Sequence, residues 1–307
     1  MLKDLVRPFV RPLPQWSAVA VAAPQGCVTS TLRGSGKPQD VTADHTVASL
    51  IPLVIASSLD AGERPRLEYR DNATGKLLGV LRLVRTADIA STEQPLFFHR
   101  IESGEQYCLR WPLRPWNAWL QNRAMLKNRK PHDFFMEPEA VQQLMISYLC
   151  PRPVVLVSVA AGDHRNIFPM DLIGPLQRSG CFSLALRSTN VSVPFMREVR
   201  RVALSSMPAA MKAEVYKLGG HHKHLLGDWN TLPFPVRPSR EFGIPGAAAA
   251  LQVRELEILE IREIGSHTFF LGRIVSDEHM TDGRQLHHTA GFHQAYRRRR
   301  GEPFVEA

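Results

Sequence analysis

The chain has 307 residues, 44% hydrophobic and 22% charged, and its 38 basic against 29 acidic residues give a net charge of +9. That length allows one large core or two modest ones, and no apolar run reaches the roughly 20 residues a membrane helix needs. The cysteines, Cys27, Cys108, Cys150 and Cys181, are too scattered for a disulfide framework or a zinc site.

The N-terminus, Met-Leu-Lys-Asp-Leu-Val-Arg-Pro, lacks the apolar core and cleavage site of a signal peptide, so a cytoplasmic protein is expected. Residues 1–115 read as β-rich. Trp16-Ser-Ala-Val-Ala-Val-Ala and Ser49-Leu-Ile-Pro-Leu-Val-Ile-Ala are short apolar runs bounded by Gly, Pro and Asp. Arg66-Leu-Glu-Tyr-Arg and Leu77-Leu-Gly-Val-Leu-Arg-Leu-Val flank Asp71-Asn-Ala-Thr-Gly, which puts Asn and Gly where a hairpin turn needs positive φ. A second hairpin is expected from Leu96-Phe-Phe-His and Gln106-Tyr-Cys-Leu, turning through Glu102-Ser-Gly-Glu.

A helical linker is expected over 116–150. Trp116, Trp119, Leu120 and Arg123 fall at three- and four-residue spacings, and the pattern runs to Lys130 before Pro131 stops it. A further helix starts at Glu137-Pro-Glu, with a proline and acids in its first turn. Its apolar face, Val141, Leu144, Met145 and Tyr148, is expected to pack on a barrel whose first strand begins at Val154.

Pro151-Arg-Pro-Val-Val-Leu-Val-Ser-Val is an apolar strand entered through two prolines. Asn166-Ile-Phe-Pro-Met follows, then the strand Cys181-Phe-Ser-Leu-Ala-Leu, the polar bend Arg187-Ser-Thr-Asn-Val-Ser and a short helix. The segment 251–262 alternates polar and apolar residues with one slip, as a long barrel strand with a bulge would. Gly265-Ser-His turns and Thr268-Phe-Phe-Leu-Gly-Arg-Ile-Val returns. Closing such a sheet removes its aggregation-prone edges.

In order and spacing these segments, with Gly265-Ser-His-Thr-Phe-Phe-Leu-Gly, resemble the flavin reductase-like, FMN-binding split-barrel family, which includes the flavoredoxins, over roughly residues 140–300. The resemblance implies an α+β, mainly β fold. An FMN-binding split β-barrel would occupy the C-terminal half, 151–307, behind a β-rich N-terminal domain at 1–115 and the helical linker. It also implies FMN as cofactor, hydride transfer from NAD(P)H to flavin, and a homodimer with each flavin near the subunit interface. The alternative is a non-catalytic flavin-binding or electron-transfer protein with a degenerate barrel. Pro14-Gln-Trp-Ser-Ala-Val-Ala-Val echoes Pro153-Val-Val-Leu-Val-Ser-Val, and the run 41–56 looks like a family segment after such a turn. A degenerate second barrel would produce that echo, and so would chance similarity between short apolar strands.

Flavin mononucleotide needs donors for its phosphate and an apolar slot with a few donors for its ring. The bend 187–192 offers Arg187, three hydroxyls and an amide, with Ser192 near a helix N-cap. By resemblance Ser188, Asn190 and Ser192 would meet phosphate and ribityl groups, although turn chemistry alone also favours such residues. The segment opening at Asn166 would cross beside the ring, with Met170, Asp171 and Leu172 facing it. Asp171 departs from the small hydroxyl residues of relatives, and its carboxylate would oppose an anionic reduced ring. Lys217 would approach the phosphate, or else be an exposed lysine. His267 would line the nicotinamide pocket as the catalytic residue, or be a turn histidine only.

The histidines at 221–224 and at 287, 288 and 293 are not expected to bind metal, because spacing alone supplies neither geometry nor supporting partners. The four arginines at 297–300 read as a solvated terminal run, or else as an attractor of a phosphate-bearing cofactor or nucleic acid. Nucleophile elbow, P-loop, H-E-x-x-H and Rossmann patterns are missing from the sequence. A nicotinamide nucleotide would therefore stack on the flavin without a fold of its own.

Overall fold

Alternating apolar residues build strands along most of the chain, and the computed structural model describes residues 11–22, 26–89, 95–129 and 135–307. The first half contains β1 (Trp16–Val21), β2 (Val28–Arg33), β3 (Gln39–Asp40), β4 (His45–Leu50), β5 (Leu53–Ser57), β6 (Arg66–Asp71), β7 (Leu77–Ile89) and β8 (Leu96–Gln106). Helices α1 (Leu113–Lys127) and α2 (Pro138–Ser147) follow. Next come β9 (Arg152–Pro153), β10 (Val155–Ala161), β11 (His164–Met170), β12 (Ile173–Leu176), β13 (Cys181–Arg187), α3 (Val193–Val199), β14 (Arg201–Ser206) and α4 (Lys212–Lys217). The chain ends with β15 (Val236–Pro238), β16 (Pro245–Ala247), β17 (Gln252–Ile264), β18 (His267–His279), β19 (Gln285–Ala290), α5 (Gly291–Arg299) and β20 (Val305–Glu306).

Two seven-stranded antiparallel sheets dominate, and they share one topology. The second runs β11-β10-β14-β17-β18-β13-β12 and the first runs β3-β2-β6-β7-β8-β5-β4. Matching β2 to β10 and continuing in chain order makes the two orders identical. In each sheet the longest pair, β7/β8 or β17/β18, carries two register shifts, the bulges that help a sheet curl. The fold is thus mainly β, with the split barrel in its C-terminal half and a β-rich first half. The faint echo in the sequence belongs to a repeated barrel topology, but in another register. The counterpart of β10 is β2, whereas the echoing segment β1 pairs with β19 and β20 in a separate four-stranded sheet.

The barrels share a seam. β4 packs against β12, β13 and β18. Phe98 and Phe269, each the third residue of matching strands β8 and β18, meet edge to face at 5.4 Å. Like meeting like is the signature of a two-fold interface. Leu172, Leu176, Ala185 and Leu271 of the second barrel join the same apolar cluster as Leu67, Leu81 and Ile55 of the first. A separate cluster built on Val155, Val157, Phe168, Leu204 and Phe270 fills the second barrel.

Several local expectations change. The hairpin 66–84 forms, with Gly75 at φ +67°. The second hairpin does not, because β8 runs straight through Glu102-Ser-Gly-Glu. Gly104 serves close approach instead of a turn: a Cβ there would lie 2.8 Å from Ile146 Cδ1. Gly79 is similarly covered by Leu149 and Ile146, so α2 settles on β7 and β8 of the first barrel rather than on the second. The apolar run 49–56 is two strands, β4 and β5, folded at Ile51-Pro52. Helix α1 ends at Lys127, capped at Asn128 by backbone N–H bonds to the last turn, so it stops short of the expected run to Lys130, while Pro131 and the N-terminal residues 1–10 lie outside the described residues. The arginine run is no free tail. Arg297 stacks on Phe304, Arg298 pairs with Glu306, Arg299 donates to the Cys108 carbonyl, and Arg300 lies 3.8 Å from Asp71.

Candidate functional site

A cleft of about 360 Å³ opens where the first barrel's β4 meets the second barrel. Its walls include Leu50 at the end of β4, Tyr148 after α2, Met170 at the end of β11, Leu172 between β11 and β12, and Arg187 at the end of β13. It adjoins an apolar groove of about 330 Å³ lined by Trp16, Val154, Tyr216 and His288. Pro169, Met170, Asp171 and Gly219 border both spaces. Volumes of this order suit metabolites and cofactors.

Of the sequence candidates, Met170, Asp171, Leu172, Arg187, Asn190 and His267 line the cleft. Ser188, Ser192, Asn166 and Lys217 do not. Asn166 and Ser192 are buried, with Asn166 Nδ2 donating to Ser192 Oγ at 2.8 Å and to the His221 carbonyl at 2.8 Å. They lock the bend to β11 and to the segment carrying His222. Asn190 accepts from the Ser192 backbone N–H at 2.9 Å and meets His222 Nδ1 at 2.9 Å, so it frames the cleft. Ser188 faces Glu263, to which its hydroxyl donates at 2.9 Å. Lys217 is exposed at the end of α4, while Lys223, six residues on, reaches the cleft rim. Two cationic side chains, Arg187 and Lys223, therefore stand at the end of the cleft that the bend encloses.

His267 is buried beside the barrel seam. Its Nδ1 lies 2.9 Å from Ser266 Oγ, and the Leu50 N–H approaches it at 3.4 Å. Burial, helped by Arg187, lowers its pKa to about 4, so the ring is neutral at physiological pH. Gly265 permits this contact, because its turn passes so close to Ile51 that a Cβ would overlap the Ile51 carbonyl. His267 thus clasps the two barrels at the cleft margin.

The strongest polar constellation was only partly legible in the sequence. Asp171 Oδ2 accepts from Tyr148 Oη at 2.9 Å and from His288 Nδ1 at 2.7 Å, and Tyr216 Oη lies 2.7 Å from His288 Nε2. A carboxylate on Nδ1 fixes the proton there and leaves Nε2 to accept from the phenol. Trp16 covers the imidazole, their ring centroids 4.1 Å apart. Burial alone would raise Asp171, but the His288 and Tyr148 hydrogen bonds and the nearby positive charge outweigh it. The carboxyl is held below the usual carboxylate range and stays ionised. Burial pushes Tyr216 up to about 12 and, with the Asp171 charge, drives Tyr148 well above an ordinary phenol. Both phenols keep their protons at neutral pH.

These donors fit a flavin. The cleft has two cations at one end, apolar walls at Met170, Leu172 and Leu186, and the protonated phenol of Tyr148 in its lining. The expected conflict with Asp171 is softened, since one carboxylate oxygen takes two hydrogen bonds inside the protein.

Fold and cleft define a split-barrel protein with a ligand-sized opening at a barrel seam. Residues 147–296 match the family model described as the flavin reductase like domain. Flavin-linked oxidoreduction is the chemistry of that class. Among solved structures, the Streptomyces globisporus C-1027 NADH:FAD oxidoreductase SgcE6 is 20% identical, with 53% of this chain and 95% of that one covered at a TM-score of 0.44. An FMN-binding protein from Thermus thermophilus with bound p-hydroxybenzaldehyde is 24% identical, with 42% and 72% covered and a TM-score of 0.37. Flavoredoxin from Methanosarcina acetivorans is 14% identical, with 42% and 69% covered and a TM-score of 0.37. No curated protein matches the chain. Among the described residues no helix is long and apolar enough to cross a membrane.

Proposed function

We propose that the chain is an FMN-dependent oxidoreductase in which NAD(P)H gives hydride to flavin at the seam cleft. The observation that carries this reading is the cleft itself, which the matched domain lines with Arg187 and Lys223 at one end and apolar residues along its walls. When bound, the flavin supplies the electron-accepting ring, and the protein supplies orientation and charge. Arg187 and Lys223 hold the phosphate by charge-assisted hydrogen bonds. Met170, Leu172 and Leu186 exclude water from the ring. Tyr216 Oη keeps its proton and donates it in a hydrogen bond to His288 Nε2, while ionised Asp171 holds the proton on Nδ1 and so fixes the imidazole beside the cleft. Tyr148 fixes Asp171 from its other side.

The homodimer implied by the resemblance gives way, in our reading, to an internal pair. The first barrel offers β4 to the seam, supplies Leu50 to the cleft and matches Phe269 with Phe98, as a second subunit would. One chain is then a complete unit. A visible spectrum with FMN or FAD, followed by NADH and NADPH oxidation assays, tests the proposal; no saturable flavin binding ends it. A second reading, a flavin-binding protein without turnover, draws on the buried, neutral His267, which no longer serves as an acid near neutral pH. Flavin binding without nicotinamide oxidation would select that reading.

A further inference from the structure

A second cavity lies away from the redox cleft. It is a space of about 410 Å³ between the barrels, bounded by Thr42 and His45 of the first and by Val155, Ile173 and Phe182 of the second. Arg152 of β9 lines it and is only 6% exposed. Its Nε has no hydrogen-bond partner, and among the described residues no carboxylate pairs with its guanidinium. Asp171 feels its charge but gives its hydrogen-bonding oxygen to Tyr148 and His288. The Tyr148 ring lies 5.6 Å from its guanidinium. A second lining group, Gln285, likewise has a buried Nε2 with no partner.

A buried cation without an anion is strongly unfavourable, and orphaned donors in one cavity point to a shared acceptor. The other groups do not supply it. His45 and His287 are each lowered to about 4, chiefly by burial, and are neutral. Arg254 is already paired with Asp277 at 2.9 Å. The cavity therefore holds a net positive charge from Arg152, two unanswered N–H donors and apolar walls.

We infer that this cavity is a second ligand site, for a small organic anion whose carboxylate or phosphate head meets Arg152 and Gln285 while its apolar body lies against Val155, Ile173 and Phe182. It does not depend on the flavin reading. Because its walls come from both barrels, its occupant fastens the seam.

The test is calorimetric titration of the full chain, with and without saturating FMN, using benzoate, phenyl phosphate and benzyl alcohol. Either anion should bind saturably whether or not FMN is present, with benzyl alcohol weaker by at least about tenfold. The preference between benzoate and phenyl phosphate assigns the head group. Arg152→Met should weaken the anion by at least about tenfold and, without ligand, melt no lower than the parent. Should that variant fail to fold, Gln285→Leu should weaken the anion several-fold while keeping the parent's melting temperature. Equal binding of benzyl alcohol, undiminished binding in the folded variants, or displacement of the anion by FMN would each overturn the inference.

Discussion

The two barrels have the same skeleton and different furniture. Between β5 and β6 the first barrel has a short loop, whereas between β13 and β14 the second inserts the bend 187–192 and α3. Between β6 and β7 the first has the tight turn closed by Gly75, whereas between β14 and β17 the second carries α4, the segment of His222 and Lys223, and β15–β16. Every cleft residue on these excursions belongs to the second barrel, and the first contributes a wall. The topology accounts for the scaffold and the insertions account for the site, as expected when function is grafted onto a stable fold.

The comparison can be broken most forcefully at the seam. Phe98→Ala and Phe269→Ala should each cost about 3–5 kcal/mol, because both remove a buried ring from one shared core. The double variant should fall short of additivity. Chemical denaturation should show one transition for both halves; two transitions, or loss confined to one barrel, would mean the barrels fold independently.

Flavin affinity sharpens the contrast next. Arg187→Ala with Lys223→Ala should together weaken FMN by at least about 100-fold, each charged contact being worth roughly 1.5–3 kcal/mol. Ser57 closes β5 as Arg187 closes β13, and Ser57→Ala should leave FMN binding within about twofold. Fluorescence quenching of FMN measures both. Tyr216→Phe should then lower the rate of nicotinamide oxidation by about tenfold with KM nearly unchanged, read by stopped flow, because it removes the hydroxyl that orients His288 but keeps the ring.

A gentler effect is pH-dependent. His45 in the first barrel and His267 in the second are lowered to about 4, and His293 to about 3, mainly by burial. Unfolded histidine titrates near about 6.5. Below that value the unfolded chain takes up protons that the folded chain refuses. Stability is therefore level above neutrality and lost as pH falls from about 6.5 toward 4, by up to about 1.4 kcal/mol per pH unit for each histidine. Because both barrels carry such a histidine, acid denaturation should again be a single event.

Much of the scaffold was legible in the sequence. Period-two patterns located most strands, and the Asn and Gly of the 71–75 turn named the first hairpin. Gly104 misled, because glycine marks both turns and close approach, and only the partner helix tells which. The repeat was nearly silent, since matching strands share apolar alternation rather than identity. In the site, Met170, Asp171, Leu172, Arg187, Asn190 and His267 converge as their segments suggested. Ser188, Ser192 and Asn166 do not face the cleft, because local bonding to Glu263 and to one another claims them. Tyr216, His288 and Tyr148 come from three distant segments, and nothing local could have announced that Tyr148 and His288 would meet on Asp171 with Tyr216 on the far side of the imidazole.

The most direct measurement is an FMN titration of the purified chain combined with light-scattering mass. One FMN per chain of 34.5 kDa, on a monomer, lost in the Arg187/Lys223 double variant and kept in Ser57→Ala, is the predicted result. No saturable flavin, or two equal flavin sites per chain, would contradict it.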